Sequence, residues 1–224
     1  DVHIHNYSLL TFEIVILQMI NIRFSNDCRY DTIKKQKNQD KEVIIMFYVS
    51  EIKRQAPDTI KTNLQKMVYK TLEKLNVSFE RVDTDEAVTM EDCVAINERL
   101  DMKMVKTLFL CNRQQTEFYL FITCGNKPFR SKDFSTALGV SRLSFAPAEK
   151  MDTMLGTKIG ATTVFSALLD STHNVQIVFD KDILNEKYYG CSDGTTTRYM
   201  KVKTEDILSK FLPYTKHTAT IVEV

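Results

Sequence analysis

The sequence lacks the short motifs that identify common enzyme classes. Its 224 residues contain no P-loop, no GxSxG nucleophile elbow, no HExxH zinc motif and no dinucleotide-binding glycine motif. A Ser-His-Asp triad is not indicated, because His173 and His217 have no activating residues near them in the sequence. No local pattern therefore supports nucleotide-binding, serine-nucleophile or zinc-peptidase chemistry.

Cysteine and histidine are too few and too scattered to predict a disulfide framework or a metal site. The five cysteines are widely spaced and include no CxxC pair: Cys28, Cys93, Cys111, Cys124 and Cys191. Of the four histidines, His3 and His5 lie close together, but no Cys, Asp or Glu with ligand spacing follows them. We therefore expect free thiols in a reducing cytoplasm, and neither a metal nor another cofactor.

The charge balance shows no excess of one sign. Lys and Arg number 30 and Asp and Glu number 29, so no overall positive field predicts a DNA partner. Binding to RNA stays open, because a local basic patch is sufficient for a weak encounter.

Long hydrophobic runs are absent as well. The most apolar window, LLTFEIVILQMI at residues 9–20, contains Glu13 and is too short to span a bilayer as a helix. No basic segment precedes it and no small-residue cleavage site follows it, which disfavours a signal peptide. The window predicts a buried strand or helix, and we expect no membrane partner.

Regular helical patterns begin near residue 58. Apolar residues at helical spacing predict an amphipathic helix, and they are Ile60, Leu64, Met67, Val68, Leu72 and Leu75. Thr89 starts a capping-box pattern, which predicts a second helix that ends at Leu100. Gly139 and Gly156 each end a short helix, and Thr204 is predicted to cap the last one.

Alternating segments predict strands between these helices. VSFERVD, NVQIVFD and TRYMKVK are single strands, while KTLFLCN and EFYLFITC form a hairpin around the turn RQQT. Steady βαβ alternation is missing, so the predicted fold class is α/β (mixed), with a largely antiparallel mixed β-sheet flanked by helices.

The N-terminal part of the chain has a different character. Residues 26–42 are polar, charged and aperiodic, which predicts a linker or an exposed loop. We therefore divide the chain into an N-terminal extension of uncertain fold, residues 1–57, and one domain, residues 58–224.

Segments dispersed in order from residue 64 to Val224 carry a resemblance to a known family. They include VKTLFLCNR, FYLFITCGNKPF, IGATTVFSALLD and VQIVFDKDIL. The chain resembles the YbaK-like aminoacyl-tRNA editing domains, freestanding deacylases related to the editing insertion domain of bacterial prolyl-tRNA synthetase. The resemblance implies hydrolysis in trans, without metal or covalent intermediate, of the ester that joins a wrong small amino acid, commonly alanine or cysteine, to tRNA. The implied partner is the acceptor end of mischarged tRNA, with prolyl-tRNA synthetase as a further candidate.

Two parts of the chain match the family's catalytic positions. Lys106 matches the lysine that contacts the tRNA end, whereas without the family a solvent-directed lysine at a strand end is the simpler interpretation. Gly160 begins GATTV, which matches the family's Gly-x-x-x-Pro loop with Val164 in place of proline. Glycine there allows backbone amides to approach a developing oxyanion, and a plain turn before a helix is the alternative. The other expected substrate-binding residues of this loop are Ala161, Thr162 and Thr163.

The segment CSDGTTT departs most from the family. Many relatives have His-Pro at Ser192 and Asp193 and Asn-Thr at Thr196 and Thr197, and only Thr197 is kept here. We expect an exposed Asp193 carboxylate to have a catalytic role by orienting water or the α-ammonium group of the substrate. Ser192, Gly194, Thr196 and Thr197 are expected to bind substrate. The alternative is an Asp-Gly turn followed by threonines that suit a strand.

Further contacts are expected from a helix start and from a basic cluster. Thr89 and Met90 begin the helix that walls the family's amino-acid pocket, although helix capping is the simpler explanation of Thr89. The basic side chains around NKPFRSKDF are predicted to contact tRNA phosphates, and an ordinary solvated loop is an equal alternative. These residues are Lys127, Arg130, Lys132 and Arg142.

The leading functional prediction is a trans-acting deacylase of mischarged tRNA. The missing His and Asn of the CSDGTTT segment support a second interpretation, which is a catalytically inactive module of the same fold that binds aminoacyl-tRNA or a synthetase.

Overall fold

The structure is a computed structural model that describes residues 30–38 and 41–224, with side chains from Phe47 onward. The predictions for residues 9–20, His3 and His5 lie outside the described residues.

Strands and helices alternate irregularly along the described chain. The strands are β1 (Tyr30–Asn38), β2 (Lys41–Val49), β3 (Phe79–Asp83), β4 (Val105–Cys111), β5 (Phe118–Cys124), β6 (Ser144–Phe145), β7 (Val175–Asp180), β8 (Tyr188–Ser192), β9 (Arg198–Lys203) and β10 (Ala219–Val222). The α-helices are α1 (Asn63–Lys74), α2 (Cys93–Leu100), α3 (Ser131–Leu138), α4 (Ala148–Leu155), α5 (Thr204–Asp206) and α6 (Leu212–Tyr214). Short 3₁₀ turns occur at Val164–Leu168 and Lys181–Asn185, and a π-helical turn, Ile207–Phe211, joins α5 to α6.

The main sheet has the strand order β10-β7-β5-β4-β6. β4 pairs antiparallel with both β5 and β6, while β7 pairs in parallel with β5 and β10. A second, antiparallel sheet has the order β3-β9-β8. The predicted mixed and largely antiparallel fold is therefore confirmed, and so is the predicted hairpin, which is β4 and β5.

Both faces of the main sheet are buried, because successive side chains of a strand point to opposite faces. On β5, Leu120 and Ile122 belong to the same hydrophobic cluster as Leu64 of α1. Tyr119 and Phe121 belong to a second cluster, which contains Phe134 of α3. The sheet thus forms the central layer between helices.

Several helix ends are set by local cap chemistry. α1 begins after Thr62, whose side chain accepts a hydrogen bond from the Gln65 amide. Gly139 and Gly156 end α3 and α4 in the left-handed conformation, as predicted. The prediction that Thr204 caps the last helix is wrong, because β9 runs directly into α5 and the extended residue at the N-cap is Lys203.

The linker prediction for residues 26–42 is wrong where the structure describes this segment. Tyr30–Asn38 forms β1, which pairs antiparallel with β2. The pairing uses backbone hydrogen bonds, which need no alternation of side-chain polarity. Phe47 and Val49 of β2 are buried in one cluster with Val82 and Ile96. The domain division at residue 57 stays a prediction.

Candidate active site

A cleft opens where the main sheet meets the second sheet. Met104, which precedes β4, forms an isolated parallel bridge with Gly190 of β8 and brings the two sheets together. The cleft has a volume of about 360 Å³. The predicted site residues that line it are Thr89, Met90, Lys106, Gly160, Thr162 and Ser192. The structure therefore gathers residues from four separate segments around one cavity.

Lys106 enters the cleft from the second position of β4. The side chain is half-buried, and its Nζ atom donates a 2.8 Å hydrogen bond to the carbonyl oxygen of Lys127. An ammonium group has three N–H donors, so this bond fixes the head group without using all of them. Lys106 thus has a defined position at the wall of the cleft.

The loop that begins at Gly160 is divided between the cleft and the protein interior. Gly160 has a φ of 85°, and a Cβ atom there would lie 3.1 Å from the Cα atom of Val88, so glycine is favoured at this wall. Thr162 faces the cleft, with its Oγ1 atom 3.3 Å from the Sδ atom of Met151. Ala161 is buried, and Thr163 caps the following 3₁₀ turn, so neither side chain lines the cleft.

The backbone of Ala161 has partners within the protein. Its amide donates to the carbonyl oxygen of Lys158, and its carbonyl oxygen accepts a 2.9 Å hydrogen bond from the Ser192 hydroxyl. The Ala161 amide is therefore removed from the expected oxyanion donors. The bond to Ser192 joins this loop to the end of β8.

The expectation of an exposed Asp193 carboxylate is wrong. Asp193 has 0% relative exposure and does not line the cleft. Its carboxylate accepts hydrogen bonds from Gln65 Nε2 at 2.6 Å, from the Tyr69 hydroxyl at 2.8 Å and from the Thr195 hydroxyl at 2.8 Å. Burial raises the pKa of Asp193, while these hydrogen bonds act in the opposite direction. Gly194 follows with a φ of 93°, in the five-residue loop 193–197 that joins β8 to β9.

Two of the three threonines in this loop also have partners outside the cleft. The Thr196 hydroxyl donates to Glu86, and the Thr197 hydroxyl accepts from Lys61 Nζ. Their carbonyl oxygens accept from the amides of Ala87 and Thr84. Gly194, Thr196 and Thr197 thus support the segment that forms one wall of the cleft but are not among its lining residues.

Thr89 combines helix capping with a place in the cleft wall. Its hydroxyl accepts from the Asp92 amide at 3.3 Å, and Asp92 Oδ2 accepts from the Thr89 amide at 3.0 Å. This reciprocal pair has the hydrogen bonds of a capping box, but α2 itself begins four residues after Thr89, at Cys93, later than predicted. The cap fixes Thr89 and Met90 at the cleft.

The predicted basic cluster is split in the structure. Arg130, Lys132 and Arg142 are exposed and line one shallow depression on the outside of α3. Lys127 does not belong to it. Its Nζ atom lies 2.9 Å from Asp180 Oδ2 and 2.7 Å from Asp182 Oδ2. Burial by itself would lower the pKa of the Lys127 ammonium group. Hydrogen bonds to these two carboxylates outweigh that effect, so the pKa is raised.

Several cleft residues were not predicted from the sequence. They are mainly apolar, thiol or aromatic, and include Cys93, Met104, Thr107, Phe145, Cys191 and Tyr199. Thr107 and Cys191 are the sequence neighbours of the predicted residues Lys106 and Ser192. Their place in the cleft could therefore have been predicted from the sequence. Burial raises the pKa of the Cys191 thiol, so this group is not prepared to act as a thiolate nucleophile.

Three general features concern only the part of the chain that the structure describes. It contains no group of three or more His, Cys, Asp and Glu side chains placed to hold a metal ion. It also contains no helix long and apolar enough to cross a membrane. Its cysteines, Cys93, Cys111, Cys124 and Cys191, are free thiols.

The model of the aminoacyl-tRNA editing domain family matches residues 84–210, and the chain belongs to this family. The matched range includes every residue that lines the cleft. The predicted family resemblance is therefore confirmed.

Individual relatives agree with this assignment. The chain is 25% identical over 154 residues to the prolyl-tRNA editing protein ProX of Acetoanaerobium sticklandii. This alignment covers 68% of this chain and 93% of the relative. A solved structure described as a candidate trans-editing enzyme for prolyl tRNA synthetase matches with a TM-score of 0.55 at 15% identity, covering 74% of this chain and 99% of its own. The hypothetical protein APE2540 matches with the same TM-score and identity, covering 69% and 97%. At this identity the solved structures show the fold.

Proposed function

We propose that the protein hydrolyses, in trans, the ester bond of mischarged aminoacyl-tRNA, with Ala-tRNA(Pro) or Cys-tRNA(Pro) as the substrate. The observation that carries this proposal is the cleft in which Lys106, Gly160 and Ser192 meet within the family-matched part of the chain. The prolyl-tRNA assignment is supported by the relative named for prolyl-tRNA editing.

The chemistry follows from the groups around the cleft. Lys106 holds the terminal ribose or a phosphate of the tRNA through its remaining N–H donors. Backbone amides of the Gly160 loop, other than that of Ala161, stabilise the negative charge that forms on the ester carbonyl oxygen. Water adds to the carbonyl carbon, the bond to the ribose oxygen breaks, and the products are the free amino acid and tRNA with its hydroxyl restored.

The proton acceptor comes from the substrate in this proposal. Among the described residues, no Asp, Glu or His lines the cleft. A ribose hydroxyl or the α-amino group of the substrate lies next to the ester and is suited to assist water. Catalysis then depends on positioning and on charge stabilisation.

The size and lining of the cleft favour a small amino acid. Its volume of about 360 Å³ is at the lower end of the range for ligand sites. Met90, Cys93 and Met104 supply an apolar and polarisable wall, which suits a methyl or thiol side chain. These features support alanine or cysteine as the amino acid that is removed.

The exposed depression on the outside of α3 supplies contacts for the tRNA acceptor stem in this proposal. Arg130, Lys132 and Arg142 are directed to solvent. Lys132 contacts a phosphate through its ammonium group, and the two arginines contact phosphates through the paired N–H groups of the guanidinium. The protein acts in the cytoplasm, where tRNA and prolyl-tRNA synthetase are available.

The test is a panel of mischarged tRNAs incubated with the purified protein. The panel contains Ala-tRNA(Pro), Cys-tRNA(Pro), correctly charged Pro-tRNA(Pro) and Ala-tRNA(Ala), each with and without EDTA. We expect turnover of Ala- or Cys-tRNA(Pro), sparing of Pro-tRNA(Pro), and no effect of EDTA. Tight binding without turnover of any substrate would favour the inactive binding module instead.

A further inference from the structure

The turn after β5 is held by a cluster of charged side chains. Lys127 lies in this turn, and its ammonium group contacts Asp180 and Asp182 at 2.9 and 2.7 Å. Asp180 is the last residue of β7, has 0% relative exposure, and accepts a further 2.6 Å hydrogen bond from the Thr123 hydroxyl. The Lys127 side chain is therefore tied to the end of a buried strand.

The backbone of the same residue holds Lys106. The Lys127 carbonyl oxygen accepts the 2.8 Å hydrogen bond from Lys106 Nζ. In the β4–β5 pairing, Lys106 lies directly opposite Thr123, the residue whose hydroxyl binds Asp180. The end of β5, the end of β7 and the start of β4 thus meet at one place, with Lys106 on one side and Asp180 on the other.

The turn also packs against the cleft wall. A Cβ atom at Gly125 would lie 2.4 Å from Met90 Cε and 2.5 Å from the Met104 carbonyl oxygen. Met90 and Met104 both line the cleft. The glycine permits this close approach, so the position of the turn and that of the cleft wall depend on each other.

We propose that Lys127 is a positioning residue: its ion pairs with Asp180 and Asp182 place its carbonyl oxygen so that it directs the Lys106 ammonium group into the cleft. This inference rests on the proposed deacylase function and deepens it. It assigns Lys127 a role through Lys106, whereas the sequence had suggested a direct contact with tRNA phosphate.

A double-mutant cycle distinguishes these roles. Lys106→Met, Lys127→Met and the double variant are compared by kcat and KM on the substrate that the wild type hydrolyses. We expect Lys127→Met to lower kcat/KM about tenfold, as for the loss of a hydrogen bond to a charged group. In the Lys106→Met background the same change has no further effect, because the group through which it acts is absent. Lys127→Arg keeps the charge and restores most of the activity.

Additive losses would overturn the inference. If Lys127 touched tRNA directly, Lys127→Met would weaken binding in the Lys106→Met background as well, and would reduce the slope of log affinity against log salt by about 1. Lys181→Met is the matched control, because Lys181 is a neighbouring exposed lysine paired with Glu223. It removes the same charge and should leave kcat/KM unchanged.

A milder variant keeps the test decisive if Lys127→Met does not fold. Asp182 is exposed, and Asp182→Asn removes one of the two ion pairs without altering the buried Asp180. We expect a loss of about threefold that also disappears in the Lys106→Met background. A loss that persists there contradicts the inference.

Failure of the proposed function gives a different result. If the wild type hydrolyses no mischarged tRNA, that proposal fails, and the same cycle is measured as Kd for a non-hydrolysable alanyl-amide RNA end. Coupling between Lys106 and Lys127 in Kd then supports the positioning role by itself, and absence of coupling overturns it.

Discussion

Tyr69 and Asp193 are joined by a 2.8 Å hydrogen bond from the phenolic hydroxyl to a fully buried carboxylate, although they are 124 residues apart in the sequence. Gln65, one turn earlier on α1, donates to the same carboxylate oxygen. The turn after β8 is thereby attached to α1. Because Ser192 immediately precedes Asp193 and lines the cleft, this anchor fixes one wall of the candidate site.

Asp193→Ala should destabilise the protein more than it slows turnover. It leaves the donors of Gln65, Tyr69 and Thr195 without their acceptor, so we expect the free energy of unfolding to fall by about 2–4 kcal/mol. Asp193→Asn keeps one acceptor and should cost less. Chemical denaturation and the deacylation rate per folded molecule measure the two effects. Wild-type stability with a large loss of turnover would restore the functional interpretation of this carboxylate.

Gly160→Ala should impair both stability and turnover. The positive φ costs an alanine about 1–2 kcal/mol, and the new Cβ atom would press against Val88 in the cleft wall. We expect kcat/KM to fall about tenfold or more, since the amides of this loop would shift from the oxyanion. Gly139→Ala is the matched control, because Gly139 has a φ of 71° and no neighbour within 4 Å. Equal turnover of the two variants would remove Gly160 from the site.

Lys106→Ala should reduce deacylation without unfolding the protein. A charge-assisted contact to the tRNA end is worth about 1.5–3 kcal/mol, which corresponds to at least a tenfold loss of rate. Lys103→Ala removes an exposed lysine that is paired with Glu186 outside the cleft, and should leave the rate unchanged. Rates are compared with melting temperatures for both variants. An unchanged rate in folded Lys106→Ala would exclude this residue from catalysis.

Asp83 should make the protein lose stability in acid. Burial alone would raise the pKa of Asp83, but hydrogen bonds from Lys53 and Arg198 and the charge of Arg81 outweigh it and lower the pKa to about 2. Because the folded pKa is below that of the unfolded chain, this contribution is present above pH 4 and is lost as the pH falls towards about 2. Urea unfolding between pH 7 and 2 measures it. Asp83→Asn should flatten the curve in that range, and parallel curves for the wild type and the variant would contradict the assignment.

The sequence determined the local elements and the family. Three kinds of local feature are confirmed: the β4–β5 hairpin, the capping-box hydrogen bonds of Thr89, and the glycine ends of α3 and α4. Each depends on alternation or cap chemistry within a few residues. The dispersed family segments determined the editing fold and identified Lys106 and Gly160 as candidate site residues.

Only the tertiary structure decided which polar groups face the cleft. Asp193 is exposed or buried according to where α1 packs, and α1 is more than 100 residues earlier in the chain. The contacts of Lys127 depend on where β7 ends, because its ammonium group forms ion pairs with Asp180 and Asp182 at that strand end. Burial and ion pairing are set by neighbours that are distant in the sequence. A local pattern of charges and turn residues therefore predicts the chemistry that is available, while the packing of α1 and β7 selects the part of it that reaches the substrate.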